Sequence, residues 1–391
     1  MTPAARLQAA VEILDLVIQS AREDGAPADA LVTRYFKTRR YAGSKDRRAV
    51  RELVFRAIRR AAERPASGRA AVVGLAETDP ELLELFGQAR GPEPLATDEA
   101  AAPAGIVPEW LVPELSPLVE PGEWPALVER APLDLRANVA RISREAMLEP
   151  FPGAEPTPLS PWGIRLPSDS RIDDSAPYHE GLVEVQDEGS QLIALACEPQ
   201  DDRRIIDLCA GAGGKSLALA SAAPGATILA TDSNRARLSK LGPRAVRAGA
   251  TIETRLLDPP SELSALEDWR GKADVVLVDA PCSGSGTWRR SPDARWRLTP
   301  ERLDRLVAAQ SRLLGIAAEL VRPGGALVYA VCSVLAREGA DQVERFLGKG
   351  SAWAVQDILD GCGRLDGEGR LLTPAHDETD GFFIARLVKP C

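Results

Sequence analysis

The chain reads as an α/β protein: a doubly wound parallel sheet preceded by a helical region. Three observations predict this. After Glu184, short apolar runs rich in β-branched residues (RIIDL, ATILAT, TIETRLL, ADVVLVD, GALVYAV) alternate with helical stretches. Before about residue 86, apolar residues recur instead at three- and four-residue steps. Between the two regions lies GQARGPEPLATDEAAAPAG, whose Pro, Ala and Gly content reads as a linker.

Taken in order, AARLQAAVEILDLVIQSA and RRAVRELVFRAIRRAA carry the helical period and place an all-α domain at 1–86. The linker is expected at 87–105. Residues 106–182 are mixed and proline-rich, with strand candidates DLRANV and WGIRLP, and are expected to form a small α+β domain. The alternating pattern then assigns 183–391 to the main domain, with a long amphipathic helix from Pro300 to Val321 before its fifth strand. At 391 residues the chain is too long for one ordinary domain.

No run of about 18 apolar residues occurs, so a membrane partner is not expected. The N-terminus lacks the features of a signal peptide. Cys197, Cys209, Cys282, Cys332, Cys362 and Cys391 form no CxxC pair, which argues against a metal site and against a disulfide framework. They suit reduced thiols and a cytoplasmic location. The net charge of −9 is unevenly spread. From Arg34 to Arg60, eleven Lys and Arg face only Asp46 and Glu52, and WRRSPDARWRL at 288–298 is a second basic run with two tryptophans. Such patches on an acidic protein can grip phosphates, or be no more than solvated helix faces.

The stretch DLCAGAGGKS at 207–216 resembles two phosphate loops and matches neither. The P-loop pattern requires glycine where Cys209 stands, and the dinucleotide pattern requires glycine where Ser216 stands. What remains is a strand, a turn of small residues through Cys209, Ala210, Gly211, Ala212, Gly213, Gly214 and Lys215, and a helix opening near Gly214. A helix N-terminus favours a carboxylate. S-adenosyl-L-methionine carries a carboxylate and no phosphate. Asp232 and Asp258, at the ends of the second and third strands, are placed for its ribose and adenine.

The fourth and fifth strands end in VLVDAPCSGSG and LVYAVCSV, each with a cysteine at the carboxyl edge. A lone cysteine there is usually a small buried hydrophobe. Two at one edge point to chemistry. Carbon 5 of a pyrimidine is a poor nucleophile; thiolate addition at carbon 6 makes the ring an enamine, and carbon 5 can then take a methyl group. Asp279 is placed to orient the base at its N3/N4 edge and steady the proton acquired there.

DLCAGAGGKS, VDAPCSGSG, YAVCSV, VQDEGSQL and TPAHDETDGFFIARL together resemble the RsmB-like (Fmu/Sun) RNA cytosine-C5 methyltransferases, over 183–391 and more loosely at APLDLRAN. The resemblance implies a Rossmann-like class I methyltransferase domain using S-adenosyl-L-methionine. It implies that Cys332 is the covalent nucleophile and that Cys282 assists release of the methylated base. It further implies that Cys209 through Lys215 wrap the methionine portion, that Asp232 and Asp258 contact the nucleoside, and that Asp279 lies where cofactor and base meet. The segment YFKTRRYAGSKDRRAVRELVFRAIRR is similar to the NusB-like RNA-binding domain of bacterial members, implying 16S rRNA as partner; the chain is expected to act as a monomer. Asp258-Pro259-Pro260-Ser261 lacks the aromatic of the amino-directed D-P-P motif and follows the wrong strand. A relic fold that binds RNA without cofactor is the non-enzymatic alternative. His179 and His376 are not expected to be catalytic.

Overall fold

The computed structural model describes residues 1–391 apart from 168–169, 349–351 and 358. It divides into two compact units. The first contains Met1–Leu115, Glu120–Arg130 and Thr287–Pro300, and the second the rest.

In the first unit, helices α1 (Pro3–Arg22), α2 (Ala28–Lys37), α3 (Ser44–Arg60) and α4 (Gly68–Ala76) enclose one apolar core. Thr2 caps α1 and Ser67 caps α4, each accepting from an amide three residues on. Leu7, Ile13, Leu14, Val54 and Ile58 are among the deeply buried members, from the three- and four-residue spacing read in the sequence. Part of the segment expected as a linker packs here instead. Ala102 N–H donates to Ala70 O at 2.9 Å, Gly105 N–H to Arg60 O at 2.8 Å, and a Cβ on Gly74 would strike the Ala102 backbone.

The second basic run belongs to this unit, and its expected phosphate-gripping role is corrected by its burial. Trp288 and Trp296 are fully enclosed. Trp296 Nε1 donates to Ala61 O at 2.9 Å, the Arg295 guanidinium donates to Ile58 O at 2.7 Å and to Ile106 O, and Arg297 donates to Gly25 O and Ala26 O at 2.9 and 2.8 Å. These cations satisfy carbonyls at helix and turn ends, where an unpaired acceptor would be costly.

The second unit holds two sheets. The smaller is antiparallel, in the order β2 (Glu155–Pro156), β3 (Gly163–Leu166), β1 (Leu133–Ala137), β4 (Val183–Val185). The larger contains five parallel strands in the order β7 (Glu253–Leu256), β6 (Thr227–Asp232), β5 (Arg204–Asp207), β8 (Ala273–Asp279), β9 (Val321–Val331). These are the five runs read in the sequence. Antiparallel strands β13 (Phe382–Val388), β12 (Gly369–Leu372) and β11 (Arg364–Asp366) extend it beyond β9, and β10 (Ala354–Val355) also pairs with β13. The order reverses between β5 and β8, so the carboxyl ends of those two strands open a crevice.

The VQDEGSQL segment joins the two sheets. Glu188, wholly buried, accepts the amides of Leu159 and Ser160, both at 2.6 Å, while Gln191 donates to Leu135 O at 3.2 Å. No helix among the described residues is long and apolar enough to cross a membrane.

Candidate active site

The turn after β5 is held open by glycine. Gly211 and Gly213 take φ of +58° and +83°, and a Cβ on Gly213 would overlap Leu241. Helix Gly214–Ala222 begins there, so its first-turn amides point into the crevice without intrahelical partners. This fits the carboxylate of an amino-acid moiety. Behind the turn, Asp207 is fully buried and accepts Ser216 Oγ at 2.6 Å; burial pushes its carboxyl up to about 6. Burial and the surrounding carboxylates, Asp207 first among them, push the Cys209 thiol well above its ordinary value, so it serves as a neutral wall of the turn.

Asp232, closing β6, uses one oxygen to accept Gly211 N–H at 2.8 Å and the other to accept Asn234 N–H at 2.6 Å. It therefore pins two loops together, and each oxygen keeps a lone pair for a hydroxyl. Asp258 is exposed, two residues beyond β7, and Leu257 N–H donates to Asp232 O at 3.0 Å, which places the third-strand loop beside the second.

Lys215 was expected among the residues that wrap the cofactor; its Nζ lies 2.6 Å from Asp279 Oδ2 at the end of β8. Burial opposes the lysine charge, but Asp279, Cys332 and Asp207 outweigh it and hold the ammonium as a cation. The pair draws the first and fourth strand ends together, and its ammonium interacts electrostatically with Cys332.

Cys282 and Cys332 meet. Their Sγ atoms are 3.3 Å apart, one past β8 and the other past β9, both partly accessible. The contact with Cys332, then burial, then the charge of Glu338 push the Cys282 thiol well above its ordinary value. Either sulfur could donate in this contact, and the raised Cys282 thiol keeps its proton at neutral pH. Gly286 N–H donating to Cys332 O at 3.1 Å ties the two loops at the backbone.

The sequence reading overlooked Glu338. It is wholly buried and accepts Ser283 N–H at 2.9 Å, Ser333 Oγ at 2.6 Å, Gln310 Nε2 at 3.0 Å and the Ser283 hydroxyl. Its signal was local: each cysteine is followed by serine, and an acidic residue lies six positions beyond the second cysteine. His179 and His376 bring no side chain to this cluster; His376 Nδ1 contacts Asp377 at 3.1 Å.

The sheet order and the crevice define a Rossmann-like fold, and the relatives of the chain are methyltransferases. The model of the 16S rRNA methyltransferase RsmB/F family matches residues 194–388. Ribosomal RNA small subunit methyltransferase B of Enterobacter sp. (strain 638) is 35% identical over 292 residues, covering 72% of this chain and 66% of that protein. The protein of the same name from Salmonella newport is 34% identical over 313 residues, covering 77% and 70%. The chain belongs to the RsmB/F family. Among solved structures, a methyltransferase homologue from Pyrococcus horikoshii superposes with a TM-score of 0.59 at 26% identity, covering 68% of this chain and 89% of that one. PH0851 gives 0.75 at 21% over 100% and 99%, a likeness of fold.

Proposed function

We propose that this protein methylates carbon 5 of a cytosine in 16S rRNA through a covalent adduct at Cys332. The observation that carries the reading is the 3.3 Å pairing of Cys282 with Cys332 beside the Lys215–Asp279 ion pair. Cys332 Sγ, as thiolate, forms a bond to C6 of the base; the C5–C6 π pair is released onto C5, and N3 takes a proton that Asp279 steadies. Lys215 keeps the developing charge in a positive field. S-adenosyl-L-methionine, when bound, supplies the electrophilic methyl group that carbon 5 takes up. The C5 proton then leaves to a base, its electron pair restores the C5–C6 bond, the C6–S bond breaks, and N3 loses its proton. The Cys282 S–H, directed at the departing sulfur, stabilises the thiolate that is expelled. The residues proposed to hold the cofactor are Cys209 through Lys215, with Asp232 and Asp258 toward the nucleoside. The helices of 1–86, proposed as a NusB-like domain, supply RNA affinity.

The test is a gel. Cys282→Ala should retain the adduct, giving a slower band in denaturing electrophoresis that needs Cys332 and vanishes in the double Cys282→Ala/Cys332→Ala variant. A Cys282→Ala protein that turns over normally without a band overturns the assignment. A band from Cys332→Ala instead would exchange the two roles.

A further inference from the structure

Each cysteine loop is anchored one residue past its thiol, at Ser283 and at Ser333, and both anchors end on the same carboxylate. Glu338 has no cation among the described residues to neutralise it; its partners are hydroxyl and amide dipoles. A single proton on each hydroxyl fixes their directions. Ser283 and Ser333 each have one hydroxyl proton and give it to Glu338 Oε2. The Ser333 lone pairs then accept Leu335 N–H at 3.1 Å and the Ser285 hydroxyl at 2.9 Å, and Ser285 in turn accepts Val334 N–H at 2.9 Å across the two loops. Gln310 bridges the carboxylate to Pro281 O, the residue before Cys282, at 3.0 Å on either side. Tyr329 Oη donates to Glu338 O at 2.6 Å and pins the backbone of the hub itself to β9.

We infer that Glu338 is the positioning residue that sets the spacing and relative aim of the two thiols. A carboxylate is an acceptor only, so it orders every hydroxyl around it in one sense. Its amide isostere cannot: one of the two oxygens becomes an NH2, which turns a donor either on the Ser283 and Ser333 hydroxyls at Oε2 or on the Ser283 N–H and the Gln310 amide at Oε1, so at least one anchoring bond is lost in either orientation. The loops then lose their common anchor while the methyl-donor turn, 209–215, stays on its own supports, Asp232 and Ser216. The inference rests on the proposed roles of Cys332 and Cys282, but the spacing of the thiols can be read without any catalysis.

Phenylarsine oxide joins two neighbouring thiols to one arsenic with loss of water, and so reports the Cys282–Cys332 spacing directly, with Cys282→Ala setting the floor. Glu338→Gln is expected to weaken its capture at least about tenfold and to slow single-turnover methyl transfer at saturating RNA by about 10²-fold, the cost of a displacement near 1 Å. Affinity for S-adenosylmethionine should stay within about twofold, since that turn is not attached to the hub. Should Glu338→Gln fail to bind cofactor, the Ser283→Ala/Ser333→Ala pair, which cuts the links and leaves the carboxylate, carries both readouts. Parent-level arsenical capture in a variant that binds cofactor overturns the inference, as does a matched loss of cofactor, arsenical and melting temperature in both. If the parent chain itself transfers no methyl to cytosine, the functional reading fails while the arsenical comparison still decides the role of Glu338.

Discussion

At the scale of single residues, the asymmetry between two cysteines does most of the explaining. They are the same side chain at equivalent strand ends, and the Cys282 thiol has its proton held in place, chiefly by the contact with Cys332. Removing the partner removes that leading cause. In Cys332→Ala, therefore, the Cys282 thiol should fall back toward its ordinary range, with burial keeping it somewhat above, and should alkylate faster with iodoacetamide at pH 8 than in the parent chain. Peptide mass spectrometry measures this; an unchanged or slower rate would show that burial alone protects Cys282. The same variant should transfer no tritiated methyl group while binding S-adenosylmethionine as tightly as the parent, since the proposed assignment gives the thiol to the base and the 209–215 turn to the cofactor.

The contrast between the legible and the illegible is also sharp among residues. Cys282, Cys332, Asp279 and Asp232 could be singled out because each lies at or just past the carboxyl end of a strand, a position that periodicity reveals. Glu338 was not, because a buried carboxylate outside any strand looks in sequence like any solvated acid. Its burial follows from two serines and a glutamine that come from two loops and a helix. Lys215 was found, yet its pairing with Asp279 depends on the approach of β5 to β8, which no spacing within one motif records.

At the scale of elements, the parallel strands were legible since each is a short apolar run enclosed on both faces. The antiparallel additions β10 to β13 were not read from pattern, because β10 and β11 are short and partly exposed. The switch between β5 and β8 has a measurable cost. Asp207 must end β5 inside the core, and its folded value near 6 lies above the 3.8 of an ordinary aspartate. Between those values the folded chain keeps a proton that the unfolded chain has released. Stability from this group is thus fully present below about pH 4 and lost as pH rises through about 6, a term on the order of 3 kcal/mol. Asp207→Asn lacks it. The stability of the parent relative to the variant should fall by about 2–3 kcal/mol between pH 4 and pH 7 in urea titrations. A difference that does not vary with pH would show that Asp207 is already relieved by Ser216 and by water.

At the scale of the whole chain, domain organisation departs from a linear reading. Residues 287–300 interrupt the methyltransferase sequence, yet Trp296 lies in the core of the helical unit. Deleting 1–86 would strip cover from Trp296 and could not isolate RNA affinity from folding. The Arg34–Arg60 run permits a cleaner test, because its cations fall into two groups. Arg51 pairs with Asp29 at 2.6 Å and Arg56 with Asp79 at 2.9 Å, so neither has a charge to spare for phosphate. Arg34 and Lys37 share one face of α2, Lys45 and Arg48 one face of α3, and Arg40 lies in the turn between; all five are exposed, and none forms an ion pair among the described residues. If these helices grip RNA, replacing the five by alanine should flatten the slope of log affinity against log salt by about 0.7–0.9 for each phosphate left without its cation, hence by up to about 4.5 in total. Arg51→Ala with Arg56→Ala should leave that slope nearly unchanged, although the net charge also falls. Filter binding to 16S rRNA across a salt series reads both. Equal flattening by the two sets would mean that general charge, rather than this face, sets affinity; an unchanged slope in the fivefold variant would mean that the face is merely solvated surface.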